Sequence, residues 1–195
     1  YESFDRGKHW AFNPNLPLAE AYRVTVDNDK PVYNGYIGTQ DNNRRGGPSR
    51  TISSAGIVNA DRTFTRAGDG FETQVDWTDP NIVYSQAQFG ALTRYDRRSG
   101  ERLYLRAFES PEAEAYRFDW DAALIVSRHD HRRLYHGSQR VLRSDDRGES
   151  WREISPDLTR GVPEELHPLM DRSWSIDDLV TKASFAHVVT LAESP

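Results

Sequence analysis

The chain carries the stretch Ser144-Asp-Asp-Arg-Gly-Glu-Ser-Trp151, and Ser3-Phe-Asp-Arg-Gly-Lys-His-Trp10 repeats its chemistry and spacing. Both stretches fit the pattern S-x-D-x-G-x-x-W, and both lie between short segments of strand-forming residues. A turn pattern that recurs in a chain rich in aromatic and β-branched residues indicates a repeat architecture. Repeat folds often carry their binding site on one face, so the pattern also directs the search for function.

The composition is typical of a soluble globular protein, with 195 residues, 36% hydrophobic, 11% aromatic and a formal net charge of -5. Arginines alternate with acidic residues, and no one-signed patch of the kind that binds nucleic acid is present. No apolar run approaches the roughly 20 residues of a membrane helix. Cysteine is absent, which excludes disulfides and thiolate metal sites. The chain begins without Met and inside a repeat unit, so we interpret it as a piece of a longer protein and expect a secreted or periplasmic location.

Three further segments share a pattern and begin 48 and 51 residues apart: Tyr36-Ile-Gly-Thr-Gln40, Tyr84-Ser-Gln-Ala-Gln88 and Tyr135-His-Gly-Ser-Gln139. In the third unit, turn residues separate four predicted strands, at 122–127, 133–138, 141–144 and 151–154. Four antiparallel strands in about 50 residues is the content of one β-propeller blade. The sequence therefore predicts an all-β fold, a partial ring of four-stranded blades, with a β-sandwich as the alternative.

The repeats divide the chain into units, all belonging to one propeller. We expect the end of one blade at 1–13, followed by a blade at 18–70 whose residues 41–70 form a long loop. Two further blades follow at 71–110 and 116–159. A polar insertion at 160–184, with a short helix near 164–170, precedes the start of another blade at 185–195.

Every defined position of the S-x-D-x-G-x-x-W turn has a structural task. The Asp accepts hydrogen bonds from amides of its own turn, the Gly supplies a positive φ angle, and the Trp anchors the turn in apolar surroundings. We favour this role over catalysis or Ca²⁺ binding by Asp146. The structural residues are Ser3, Asp5, Gly7, Trp10, Ser144, Asp146, Gly148 and Trp151.

The signature resembles the Asp-box, or BNR repeat, of sialidases, sortilin-type receptors and two-propeller glycoside hydrolases. The chain is most similar to sortilin-like propeller proteins that are commonly labelled glycosyl hydrolases. Besides both Asp boxes, the residues that carry the resemblance are Gln40-Asp-Asn42, Gly46-Gly-Pro-Ser-Arg50, Gly68-Asp-Gly-Phe71, Tyr116-Arg-Phe-Asp-Trp120 and Ser155-Pro-Asp-Leu-Thr159. The resemblance implies carbohydrate binding or glycoside hydrolysis or, alternatively, binding of an extended peptide without catalysis.

In such a blade the Asp box is a third-to-fourth-strand turn, so the opposite face carries the residues that precede each innermost strand. Carboxylates, amides, arginines and an indole converge there, as a sugar or peptide site requires. Hydrolysis by two carboxylates needs a separation of about 5–5.5 Å or about 6.5–9.5 Å. The candidate catalytic residues are Asp69, Asp119 and Asp121. The candidate substrate-binding residues are Asp41, Asn42, Arg44, Gln88, Trp120, Gln139 and His187.

No cofactor and no metal are predicted. The histidines His129, His131 and His136 suggest a metal site, but they lack the carboxylate–histidine spacing that usually supports one. The expected partners are a carbohydrate or an extended peptide, together with the remaining blades of the same propeller.

Overall fold

The computed structural model describes residues 1–12, 20–159 and 186–195. The fold is all-β and contains three four-stranded antiparallel sheets, each with its strands in sequence order. Two short 3₁₀ turns, Asn59–Asp61 and Gln88–Gly90, are the helical elements in these ranges. No helix within them has the length and apolar character needed to cross a membrane. The predicted insertion at 160–184, with its short helix, lies outside the described residues.

The first sheet consists of β1 (Ala21–Val26), β2 (Asn34–Thr39), β3 (Arg44–Pro48) and β4 (Thr63–Arg66). The prediction that a long loop replaces the outer half of this unit was wrong, because both β3 and β4 lie within it. Arg45, Gly46 and Gly47 have weak strand propensity, and tertiary packing overrides it. Gly46 lies beneath the ring of buried Tyr36, where a Cβ atom would come 2.4 Å from the ring.

The second sheet consists of β5 (Thr73–Val75), β6 (Ile82–Ala87), β7 (Ala91–Asp96) and β8 (Arg102–Tyr104). Strand β6 is buried along its whole length because β4 of the first sheet lies against it on one side and residues of the third sheet pack against Ile82 and Tyr84 on the other. This explains its composition, since a strand buried on both faces does not alternate between polar and apolar residues.

The third sheet consists of β9 (Leu124–Val126), β10 (Leu134–Gly137), β11 (Val141–Ser144) and β12 (Arg152–Glu153). All four strands predicted here from the sequence are present, although three of them are shorter than predicted. The Asp box lies between β11 and β12, as predicted.

The three sheets stack face to face, with their first strands side by side. Strand β5 contacts β1 on one side and β9 on the other, and β4 contacts β6. The core between the second and third sheets contains Ile82, Tyr84, Leu92, Leu105, Leu124, Val126 and Leu134. Trp151 packs against this cluster and against a neighbouring one built on Ala107, Phe118, Ala122 and Leu142. This order of sheets is consistent with a propeller-like all-β fold.

The two Asp-box turns have the same local structure. The hydroxyl of the Ser accepts a hydrogen bond from the amide of the Gly at 2.8 Å in both turns. The Asp carboxylate accepts the amide four residues later at 2.9 Å in both. The residues between Asp and Gly, Arg6 and Arg147, have φ angles of 61° and 64°. The polar groups of each box are therefore used within the turn. The predicted apolar anchor is present at Trp151, whereas Trp10 is 62% exposed and does not fill that role among the described residues.

Candidate functional site

The second-to-third-strand turns lie at the end of the sheets where β1, β5 and β9 begin, and we call this end the mouth. Residues 40–43 form the turn of the first sheet, in which Asp41 and Asn43 have positive φ angles. Residues 88–90 form the turn of the second sheet, in which Phe89 also has a positive φ angle. The Asp box at 144–151 lies at the opposite end, because it connects the third and fourth strands of its sheet.

Four aromatic rings form a continuous surface at the mouth, which we call the aromatic face: Tyr22, Phe71, Phe89 and Trp120. The ring centroids of Tyr22 and Phe71 are 4.8 Å apart, and those of Phe71 and Trp120 are 6.2 Å apart in an edge-to-face contact. Phe89 meets Trp120 edge to face at 5.1 Å. Phe71 is buried, whereas Tyr22, Phe89 and Trp120 are 37%, 42% and 37% exposed. The structure thus offers a partly exposed aromatic surface with fixed ring orientations.

Asp69 lies at the mouth but is mostly buried, with 8% of its surface exposed. Its Oδ1 accepts a hydrogen bond from the amide of Asp41 at 2.8 Å, so the carboxylate holds the neighbouring turn. A flanking glycine such as Gly70 can let a ligand approach the backbone closely. The protein's own chain takes that space, because a Cβ on Gly70 would lie 2.7 Å from Cα of Gly38. The geometry therefore favours a supporting role for Asp69.

Arg44 is buried beneath this turn and is only 1% exposed. One guanidinium nitrogen, Nη2, donates to the carbonyl of Asp69 at 2.9 Å, while Nε and Nη1 have no partner within the described ranges. Burial, with a contribution from the nearby charge of Arg66, lowers the pKa of Arg44 to about 9. The prediction that Arg44 binds substrate at the surface is not supported, because its side chain lies inside the protein.

The other two candidate catalytic carboxylates have separate protein partners. Asp119 accepts the amide of Trp120 at 2.7 Å and pairs with Nε2 of His187 at 3.1 Å. Asp121 accepts two hydrogen bonds from Arg23, at 3.2 Å from Nε and 3.1 Å from Nη2. The Arg23–Asp121 pair joins the first sheet to the chain that leads into the third.

The remaining predicted binding residues differ in accessibility. Asp41 and Asn42 are exposed, and Gln88 is half-buried beside the aromatic face. Gln139 is fully buried, and its amide group bonds the backbone of Arg117 at 2.8 Å and of Ala115 at 3.0 Å. Gln139 therefore secures the chain before β9, and its predicted contact with substrate is not supported.

A cavity of about 120 Å³ lies between the first strands and is lined by two acids, Asp121 and Glu72, of which Glu72 was not predicted from the sequence. Its lining includes Arg23, Glu72, Gln74, Asp121 and Ile125. Burial raises the pKa of Glu72, although a hydrogen bond of 2.6 Å from Gln74 opposes the shift. The sequence gives only a weak indication that Glu72 is buried. It precedes the strand Thr73-Gln-Val75, and strands exposed to solvent often have similar polar residues.

The histidines that suggested a metal site do not converge. His129 Nε2 contacts the carbonyl of Ser194 at 2.8 Å, and His131 Nδ1 contacts buried Asp76 at 2.8 Å. His136 is fully buried between the rings of Phe118 and Trp151. Within the described residues no group of three or more His, Asp or Glu side chains could hold a metal ion.

Comparison with known proteins leaves the family open. No family model matches the chain, and no curated protein matches it. The chain is similar to the crystal structure of the extracellular domain of a putative hybrid two-component system from B. thetaiotaomicron, with 12% identity and a TM-score of 0.44. The match covers 85% of this chain and 22% of that one, so the chain spans about a fifth of that structure. A similarity at this level carries no conclusion about function, and the Asp-box resemblance stays an expectation.

Proposed function

We propose that this chain is a segment of a propeller-type protein that binds carbohydrate at the mouth of its stacked sheets. The observation that carries the proposal is the aromatic face, on which Trp120 and Phe89 stay partly exposed in an edge-to-face pair. Isolated exposed aromatic residues are ordinary, whereas a fixed cluster beside polar groups is typical of a ligand site.

Sugars suit this surface because a pyranose ring has an apolar face of C–H groups and an edge of hydroxyls. The C–H face would stack on Trp120 or Phe89. The hydroxyls would bond the exposed side chains of Asp41 and Asn42 and the half-buried amide of Gln88. Because Trp120 packs against the rings of Phe71 and Phe89, the surface should lose little side-chain entropy when a ligand binds.

Binding is favoured over hydrolysis because the predicted catalytic carboxylates already hold protein groups. Asp69 bonds the amide of Asp41, Asp119 pairs with His187, and Asp121 pairs with Arg23. A general acid needs a raised pKa and access to the glycosidic oxygen. One observation supports hydrolysis as a second candidate function. Glu72 and Asp121 line the same cavity, and burial raises the pKa of the Glu72 carboxyl group. Loss of glycan cleavage in Glu72→Gln with binding retained would support that candidate.

The propeller-type arrangement also predicts further sheets beside this chain. The outer face of the first sheet carries a cavity of about 420 Å³, lined by Val24, Val26, Tyr33, Ile37 and Ile57 among others. Val24 and Val26 are exposed there, whereas the matching positions of β5 and β9 are buried or half-buried. An apolar sheet face of this kind normally packs against another layer.

The test is calorimetric titration of the protein with a panel of soluble oligosaccharides. Trp120→Ala should weaken binding at least about tenfold, since aromatic stacking and the burial of apolar area both contribute. Phe4→Ala is the matched control, because Phe4 is an exposed aromatic residue outside the mouth. Equal affinity of the Trp120→Ala protein would refute the proposal. Saturable binding of extended peptides, with no response to any glycan, would support the peptide alternative instead.

A further inference from the structure

Carboxylates surround the Tyr22 end of the aromatic face. The pKa of the Tyr22 hydroxyl is raised, mainly by desolvation. The negative charges of Asp69, Glu20 and Asp41 add to the shift, so all three lie near the phenol. Glu20 and Asp41 are on neighbouring segments, because the amide of Gln40 donates to the carbonyl of Glu20 at 3.0 Å. Both acids are exposed, and neither forms an ion pair with the residues that the structure describes.

A further carboxylate lies beside the indole at the other end of the face. Asp119 directly precedes Trp120, and its Oδ1 accepts the amide of Trp120 at 2.7 Å. The same oxygen lies 3.1 Å from Nε2 of His187, a ring that is charged only when it takes up a proton. The surroundings of the indole are therefore negative or neutral.

The arginines of the adjoining segments do not offer a free positive charge to a ligand on the rings. Arg23 bonds the carboxylate of Asp121 at 3.1 Å. Arg44 lies inside the protein, with 1% of its surface exposed. Arg45 is exposed, but it lines the cavity on the outer face of the first sheet. The described part of the mouth thus presents unpaired acids and no unpaired, accessible arginine.

The aromatic rings favour the same sign of ligand charge as the acids. The face of an indole or phenyl ring is negative and attracts a cation within about 6 Å of the ring centroid. Trp120 and Phe89 keep 37% and 42% of their surface exposed. Tyr22 and Trp120 both contact Phe71, so one short oligosaccharide can reach the rings and the exposed acids together.

The mouth stays accessible in a longer propeller-type protein. It is an end of the sheets, where the first strands begin, and is not one of their faces. Further sheets in the stack would lie beside the first or third sheet, so they would leave this end open.

We propose that the mouth selects sugars that carry a protonated amine, with the amine near Glu20 and Asp41 and a pyranose ring on Trp120. The inference rests on the carbohydrate binding proposed above and names its substrate class, an oligomer of a 2-amino sugar. The same charges disfavour sugar acids, because their carboxylates would meet unpaired carboxylates of the protein.

The first test compares ligands that differ in charge. The protein is titrated calorimetrically, at pH 6 and low ionic strength, with β-1,4-linked tetramers of glucosamine, glucose and glucuronic acid. The glucosamine tetramer should bind about fivefold more tightly than the glucose tetramer, the size expected of two exposed ion pairs, and the glucuronic acid tetramer should bind most weakly. Added salt should bring the affinities together, because it screens exposed charges.

The outcomes of this titration separate the two proposals. Equal affinity for the glucosamine and glucose tetramers would overturn the selectivity and leave carbohydrate binding intact. Tighter binding of the glucuronic acid tetramer would also overturn it. If no oligosaccharide of any charge binds, both the selectivity and the proposed function fail.

The second test assigns the selectivity to the two exposed acids. Glu20→Gln and Asp41→Asn should each lower the ratio of glucosamine to glucose affinity about twofold, and the double variant should bring it close to one. Asparagine tolerates the positive φ angle of 57° at position 41. Glu101→Gln is the matched control, since Glu101 is an exposed acid between β7 and β8, at the opposite end of the second sheet. An unchanged ratio in the double variant would contradict the assignment.

A third titration distinguishes an amino sugar from a basic peptide. Tetralysine has four amines, as the glucosamine tetramer does, but has no pyranose ring to stack on Trp120. It should therefore bind at least about fivefold more weakly than the glucosamine tetramer. Equal or tighter binding of tetralysine would assign the mouth to basic peptides and overturn the amino-sugar proposal.

Discussion

His136 makes the stability of this protein depend on pH, in a direction fixed by its surroundings. Its ring is fully buried, packed 4.8 Å from Phe118 and 5.9 Å from Trp151, and neither ring nitrogen has a hydrogen-bond partner within the described ranges. Burial, with the nearby charge of Arg106, lowers the pKa of His136 from 6.5 to about 3. The folded protein therefore excludes a proton that the unfolded chain accepts.

The sign and size of the change in unfolding free energy follow from the difference in the pKa of His136 between the folded and unfolded states. Above pH 6.5 the ring is neutral in both states, so the stability is fully present. As the pH falls below 6.5, only the unfolded chain takes up the proton, and unfolding becomes favourable by about 1.4 kcal/mol per pH unit. Between pH 7.5 and pH 5 the loss in unfolding free energy should be about 2 kcal/mol.

The assay is urea denaturation of the wild type and of His136→Leu at pH 7.5, 6 and 5. Leucine is similar in volume and does not titrate, so the difference between the two curves isolates this ring from carboxylates that titrate in the same window. The His136→Leu protein should lose about 2 kcal/mol less than the wild type between pH 7.5 and pH 5. His9→Leu, at an exposed ring that pairs with Asp5, is the control for a surface histidine and should change the pH dependence far less than His136→Leu does. Parallel curves for the wild type and His136→Leu would refute the assignment of a buried, uncharged ring.

Three further predictions concern core packing and the ion pairs between neighbouring sheets. Trp151→Ala should lower the unfolding free energy by about 3 kcal/mol in thermal or urea denaturation, because the indole contacts two core clusters and bonds a backbone carbonyl. Asp76→Ala should cost about 2–3 kcal/mol, since it leaves the partly exposed Arg147 and His131 without their acceptor; an unchanged melting temperature would contradict this role of Asp76. Gly46→Ala should destabilise by about 1–3 kcal/mol, because its Cβ would lie 2.4 Å from the Tyr36 ring. Gly35→Ala, with no atom within 4 Å of the new Cβ, is its control and should change stability by less than about 1 kcal/mol.

The strands and turns of the third unit were predictable because their signals are local. The S-x-D-x-G-x-x-W turn makes its hydrogen bonds within eight residues, so its residue types specify its shape. The first unit was harder to predict. Its third strand contains Gly46 and Gly47, which favour a loop when taken alone, and the ring of Tyr36 and pairing with β2 stabilise the strand.

The sequence predicted that Asp69, Asp119, Trp120 and Asp121 lie at one end of the sheets, and the structure places them there. That this end is a binding site stays a prediction. The sequence could not show that Asp69 holds a turn or that Gln139 is buried, because both depend on packing against distant segments. The aromatic partners of Trp120, Phe71 and Phe89, were missed because they lie 49 and 31 residues away in the chain.

The sequence by itself determined the all-β class, the four-stranded units and the structure of the Asp-box turns, since these follow from propensities and hydrogen bonds among near neighbours. Only the tertiary structure decided which polar groups meet. Arg97 and Asp27 are 70 residues apart, Arg147 and Asp76 are 71 apart, and Arg23 and Asp121 are 98 apart. The physical reason is that strand alternation assigns side chains to two faces, while the stacking of whole sheets decides what each face contacts.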